Sequence, residues 1–138
     1  MYDLALSFAG EDRDIAEKIA VEVRNKGFNV FYDFFEQEEL WGEDLTIALP
    51  KRYRNARFCV VLASDIYLKK MWTKFERQVI VEHFLKLGAS GYVLPVFLGN
   101  AEQELPGISK LIGYRTLPDL KELPGLIDAI CRKLALVK

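Results

Sequence analysis

Short apolar runs rich in β-branched and aromatic residues alternate along this chain with longer stretches of helical period. The first run, Leu4-Ala5-Leu6-Ser7-Phe8, predicts a strand ended by Ala9-Gly10 and the acidic Glu11-Asp12. Ile15, Ile19 and Val23 then fall on one helical stripe with Ala16 and Ala20 beside it, while Glu17, Lys18, Glu22 and Lys26 face water. Glu22 and Lys26 make a favourable i,i+4 pair, and Gly27 suits the left-handed cap that closes the helix. Phe28 to Tyr32 reads as a second strand. Asp33 to Asp44 is a polar connection, long for a strand-to-helix turn, and long loops in compact domains tend to carry function.

A weaker helix follows from about Leu45 to Arg54, with Pro50 expected to distort it. Phe58 to Ala63 is almost unbroken apolar sequence, as a central strand covered on both faces requires. A strong helix is expected from about Trp72 to Leu87, stopped by Gly88. Tyr92 to Leu98 is a fourth strand, in which Pro95 implies an irregular or edge-proximal position. Residues 99 to 113 show little periodicity, and a short strand near Tyr114 to Leu117 and a helix from Leu123 to Val137 complete the chain. No internal repeat is present.

Strands alternating with helices imply crossover connections and a parallel sheet. The expected architecture is α/β, a flavodoxin-like three-layer α/β/α sandwich with five strands. Ligands of such sheets bind outside the carboxyl ends of the strands, where strand order reverses. That rule selects Phe8 to Asp12, Asp33 to Asp44, and Ser64 to the helix carrying Glu76.

Composition narrows the picture. With 138 residues, 51% apolar and 28% charged, the chain fits one domain with a full core. Nineteen basic and twenty acidic residues give a net charge of −1, and the basic ones are scattered. That argues against nucleic-acid binding, which needs a basic stripe to displace counterions. Cys59 and Cys131 lie far apart in apolar runs and read as buried thiols in a reducing compartment. The longest apolar runs are strand-sized, and no basic region precedes a hydrophobic one at the N-terminus. A cytoplasmic protein without a membrane partner is expected.

Several chemistries drop out. There is no G-x-G-x-x-G after the first strand and no G-K-[ST] phosphate loop. A phosphoacceptor domain would want an Asp ending the third strand and a Lys ending the fifth, where Leu62-Ala63-Ser64 and Thr116-Leu117-Pro118 stand. His83 is the sole histidine, which removes triads built on a supported imidazole. Glu76 stands out, because it lies four residues after Trp72 and four before Ile80 and so shares their helical face. Thr73-Lys74-Phe75-Glu76 also matches a capping box, in which the carboxylate reaches back to the Thr amide. Glu36-Gln37-Glu38-Glu39 reads as a solvated loop face, without the ordered alternation of a calcium loop and with no metal expected. Leu40-Trp41-Gly42 is either a contact surface at a loop tip or the anchor of that loop.

The motif series resembles the bacterial type of Toll/interleukin-1 receptor (TIR) domain along nearly the whole chain. Tyr2 to Asp12 is similar to the family's opening strand and turn. Phe31-Tyr32-Asp33, the acidic loop and Leu40 to Leu45 resemble its second strand and BB loop. Val60 to Ser64, Tyr67-Leu68, Trp72 and Glu76 resemble its third strand and the W-x-x-x-E that opens the following helix. The resemblance implies sheet order 2-1-3-4-5. It also implies one of two roles, a non-enzymatic module assembling through the BB loop, or an enzyme cleaving NAD⁺ into nicotinamide and ADP-ribose or a cyclic isomer. In the second role NAD⁺ is the substrate and no cofactor is needed.

The family's catalytic glutamate maps onto Glu76. One carboxylate is enough for this bond, because nicotinamide departs neutral from a pyridinium and needs no general acid, unlike a sugar alkoxide. A fixed anion then stabilises the charge growing on the ribose carbon. The resemblance further implies apolar walls from Phe8 and Trp72, close approach at Ala9-Gly10, substrate contacts at Asp33 and Ser64, and a cover or subunit contact from Trp41. Leu40, Trp41 and Gly42 would form a homo-oligomer interface. Two departures are Phe8-Ala9-Gly10, where some members carry arginines, and Thr73, where Cys is usual. The starting Met and the ending at Val137-Lys138 suit residues 1–138 as a single TIR module, N-terminal in a longer protein with a regulatory domain. Activity would then be latent until self-association, in bacterial antiviral defence or cell-death signalling.

Overall fold

A computed structural model describes residues 1–70, 91–99 and 112–136. The helix expected from Trp72 to Leu87, with His83, Trp72 and Glu76, lies outside the described residues, as does most of the aperiodic stretch after residue 99.

Strands β1 (Tyr2–Ser7), β2 (Val30–Phe31), β3 (Ala56–Ala63), β4 (Val93–Leu98) and β5 (Arg115–Leu117) form one sheet in the order β2-β1-β3-β4-β5. Every pairing is parallel. Helices α1 (Arg13–Asn25), α2 (Gln37–Leu40), α3 (Leu45–Arg54), α4 (Asp65–Lys70) and α5 (Leu123–Leu136) make the connections among the described residues.

The period of two in the strands builds two cores. Leu4, Leu6, Val60, Leu62, Val96 and Leu98 point to one face, where Ile19 and Val23 of α1 and Ile127, Ile130 and Leu134 of α5 meet them. Ala5, Cys59, Val61, Ala63 and Phe97 point to the other, beneath Tyr53 of α3 and Tyr67 of α4. Each fully buried aliphatic side chain contributes about 1.5–3 kcal/mol relative to exposure. On α1 the deepest positions are Ala16, Ile19, Ala20 and Val23, whereas Ile15 is half-buried. Gly27 takes a φ of +95°, which is the left-handed cap expected of it.

Some expectations needed correction. The second strand covers Val30–Phe31 only, because Tyr32 already turns into a 3-10 helix at Asp33–Glu36, whose Phe35 amide donates to the Tyr32 carbonyl. The connection from Asp33 is therefore ordered, through that turn and α2. Pro50 does not interrupt α3. The carbonyl that loses its donor is that of Thr46, in an exposed first turn open to solvent. Pro95 lies one residue before β5 begins to pair with β4, on the strand next to the edge. Both cysteines are free thiols, but only Cys59 is buried; Cys131 on α5 is half-buried. Among the described residues no helix is long and apolar enough to cross a membrane.

Candidate active site

Strand order reverses between β1 and β3, so a crevice opens at their carboxyl ends. Beside it, at the carboxyl ends of β1 and β2, lies a cavity of about 170 Å³. Leu6, Phe31, Leu49 and Tyr53 form its apolar depth, and Phe8, Gly10, Arg13 and Asp33 surround its mouth. Tyr53 is fixed by donating its hydroxyl proton to the Leu6 carbonyl at 2.9 Å, and the buried Tyr92 hydroxyl donates to the Tyr53 carbonyl at 2.8 Å.

The mouth is built by the turn after β1. Ala9 is fully buried, and its carbonyl accepts the Asp12 amide at 2.8 Å. Gly10 is exposed, and a methyl group placed there would meet no atom of the described residues within 4 Å. Phe8 is half-buried, its ring 5.8 Å from that of Tyr32.

Arg13, the first residue of α1, was missing from the sequence-derived site. Its guanidinium binds Asp33 through two hydrogen bonds of 2.9 and 3.0 Å and donates to the Tyr32 hydroxyl at 3.0 Å. It also stacks 3.7 Å from the Phe34 ring centroid and 5.1 Å from that of Phe8. The bonds to Asp33 push its pKa further upward, so the cation is permanent. The Tyr32 hydroxyl donates in turn to Glu17 Oε1 at 3.1 Å, and burial raises its pKa. The turn that carries Phe8-Ala9-Gly10 in place of arginines thus still has an arginine at the cavity, three residues on. The sequence held a signal for it, since a cation at a helix N-terminus opposes the macrodipole and needs another reason to be there.

Asp33 is on the cavity wall, with both carboxylate oxygens on Arg13. Ser64 does not line this cavity. Its hydroxyl donates to Asp12 and accepts the Tyr67 amide at 3.1 Å, capping α4. One lone pair is left to it, so Ser64 can accept from a ligand but has no proton to give. The Asp12–Ser64 bond joins the turn after β1 to the turn after β3 across the crevice.

Leu40 and Trp41 separate. Leu40 is half-buried and packs on the core under α3, while Trp41 is 88% exposed. Leu40 ends α2 and Trp41 is already extended, so adjacent side chains point in opposite directions. Gly42 follows with a φ of +87° and lets the chain reverse toward Asp44, which caps α3 by accepting the Thr46 amide at 3.0 Å. The acidic run is not uniformly solvated. Glu38 and Glu39 are exposed, but Glu36 accepts from the Tyr2 hydroxyl and from Arg52 Nε at 3.2 Å.

A TIR domain family model matches residues 4–127. The chain is 42% identical over 135 residues to the 3' cyclic ADP-D-ribose synthase AaTIR of Aquimarina amphilecti, covering 96% of this chain and 40% of that protein. It is 33% identical over 97 residues to the 2' cyclic ADP-D-ribose synthase BtTIR of Bacteroides thetaiotaomicron, covering 70% and 32% respectively. The chain thus spans well under half the length of these relatives. Among solved structures, a metazoan TIR-STING receptor from C. gigas superposes with a TM-score of 0.73 at 19% identity, over 97% of this chain and 39% of that one. The sheet order, its crossovers and a match running from the first strand into the last helix make this chain a member of the TIR domain family.

Proposed function

We propose that this chain cleaves the bond between nicotinamide and ribose in NAD⁺, releasing ADP-ribose or a cyclic isomer of it. The observation that carries the reading is the 42% identity to a cyclic ADP-ribose synthase across 96% of the chain. The cavity at the carboxyl ends of β1 and β2 supports it, with apolar side chains for a flat ring and an arginine and an aspartate at its mouth. Glu76 is the proposed catalytic residue. Its carboxylate stabilises the oxocarbenium character of the ribose and orients a ribose hydroxyl, while the neutral base leaves without protonation. Phe8 and Trp72 flank the substrate, Gly10 lets it approach the backbone, Asp33 and Ser64 accept hydrogen bonds, and no cofactor takes part.

Activity is proposed to be latent until the domains self-associate, under control of a further domain, in the cytoplasm of a bacterial cell as part of antiviral defence. The greater length of the relatives supports the further domain. Clustered protein incubated with NAD⁺ and resolved by chromatography should release nicotinamide, with the second product separating hydrolysis from cyclisation. Glu76→Gln should lower turnover by about 10²–10³, the usual loss for a removed electrostatic stabiliser. Equal turnover by that variant would sink the assignment.

A second reading is a non-enzymatic assembly module, favoured by Trp41, whose 88% exposure in an acidic loop suits a contact with another chain. It predicts no nicotinamide under any clustering condition and loss of self-association in Trp41→Ala.

A further inference from the structure

Glu36 occupies the N-cap position of α2, yet its carboxylate caps nothing there. It is turned away to a tertiary pair of donors. The Tyr2 hydroxyl of β1 donates to one oxygen and Arg52 Nε of α3 to the other, and Arg52 is itself braced on the Ala48 carbonyl at 3.2 Å. The side chain of Glu36 is only 17% exposed and that of Arg52 22%. A carboxylate withdrawn that far from water must be compensated, and both of its oxygens are.

The position of this clamp matters because of what lies one turn before it. Asp33 and Glu36 are the two ends of a single 3-10 turn, in which residues i and i+3 lie one above the other. Asp33 is bolted to Arg13 of α1, on one face of the sheet, and Glu36 to Arg52 of α3, on the other. The turn is a strut between the two helical layers. Beyond it, α2 has four residues, too few to hold a helix by its own hydrogen bonds. Its direction is set by Glu36 at its start and Leu40 at its end.

We propose that Glu36 is a positioning residue: gripped by Tyr2 and Arg52, it sets the angle at which residues 37–44 leave the sheet edge, and holds Asp33 at the cavity mouth through the same turn. The relevance of that mouth to catalysis rests on the NAD⁺ reading above, but the mechanical claim does not. Releasing Glu36 frees the turn to unwind, and Asp33 then leaves the fork of Arg13. The loop bearing Trp41 and the wall of the cavity therefore move together.

Residue-resolved amide hydrogen exchange on the whole chain tests this. The Trp41 amide, bonded to the Gln37 carbonyl at 3.0 Å, reports on α2, and the Phe34 amide, bonded to Asp33 Oδ1 at 2.9 Å, reports on the cavity mouth. Glu36→Ala should speed exchange at both by about tenfold, the equivalent of one lost charge-assisted bond. Glu36→Gln, which keeps an acceptor, should recover much of the protection, and Tyr2→Phe should shift both amides in the same direction by less. Amides of β1 and β3 report whether the fold is intact in each variant. Unchanged exchange at Trp41 in Glu36→Ala would overturn the clamp. Faster exchange at Trp41 with Phe34 still protected would overturn the link to the cavity. Turnover of NAD⁺ by the same variants is read separately: a KM increase with little change in kcat is expected, and an inactive wild-type protein would remove the enzymatic reading while leaving the exchange result intact.

Discussion

Replacing Arg13 by Ala tests whether the mouth of the cavity is held by its guanidinium, and the sign of the effect depends on competing terms. Two charge-assisted hydrogen bonds to Asp33 are lost, and in a dry site such bonds contribute about 1.5–3 kcal/mol. Here the two side chains are 29% and 38% exposed, so solvent screening brings the pair down to about 1 kcal/mol. Stacking over Phe34 adds about 0.5–1 kcal/mol. Against these, removing a cation from the first turn of α1 relieves about 0.3–1 kcal/mol of unfavourable dipole interaction. The balance is a destabilisation of about 1 kcal/mol, or a Tm lower by about 3–5 °C for a domain of this size. Arg13→Lys should recover the charge but not the fork or the stacking, and fall between the two. Thermal unfolding of both variants and of Asp33→Ala measures this, and the double variant should show a coupling of about 1 kcal/mol. A Tm that stays level or rises in Arg13→Ala would mean that the dipole term wins, and the assigned grip on Asp33 would be wrong.

Gly10→Ala should change stability by no more than about 0.5 kcal/mol, because the added methyl meets no atom of the described residues, yet reduce NAD⁺ turnover by about tenfold if substrate comes within contact of that backbone. Undiminished turnover would place the substrate elsewhere. Alkaline pH should also weaken the fold. Burial, aided by the bond to Glu36, pushes the Tyr2 pKa up to about 12 from 10, and burial raises that of Tyr92 further. A phenol whose pKa is raised by folding contributes stability that is complete below pH 10 and is lost as pH rises through the folded value. Urea unfolding between pH 9 and pH 12 should therefore show a falling midpoint, and a flat profile would contradict the burial of these hydroxyls.

The periodicity of the chain located the described strands to within two residues at each end, because burial on both faces is written directly in unbroken apolar runs such as Phe58 to Ala63. The shortness of β2 has a physical cause: it pairs with β1 alone, and nothing on its outer side among the described residues obliges Tyr32 to continue. The site was less legible. The fork that Arg13 makes was not legible, because its partner is twenty positions away and only the folded turn brings the two together. Glu36 was hidden in a run of acids for the same reason, since Tyr2 and Arg52 approach it from β1 and α3. Leu40 and Trp41 could not be told apart from composition; the end of α2 falls between them and decides which is buried. Glu76 and Trp72, the residues the motif series favoured most, lie beyond the described part of the chain.

Both outer strands of the sheet are brief, two residues in β2 and three in β5. Rims this short offer an incoming backbone too few amide and carbonyl groups to zip against, which is how natural sheets escape amyloid-like stacking. Crowding many copies together therefore gives cross-β growth little to start from, and shifts contacts between copies toward side chains on loops and helices.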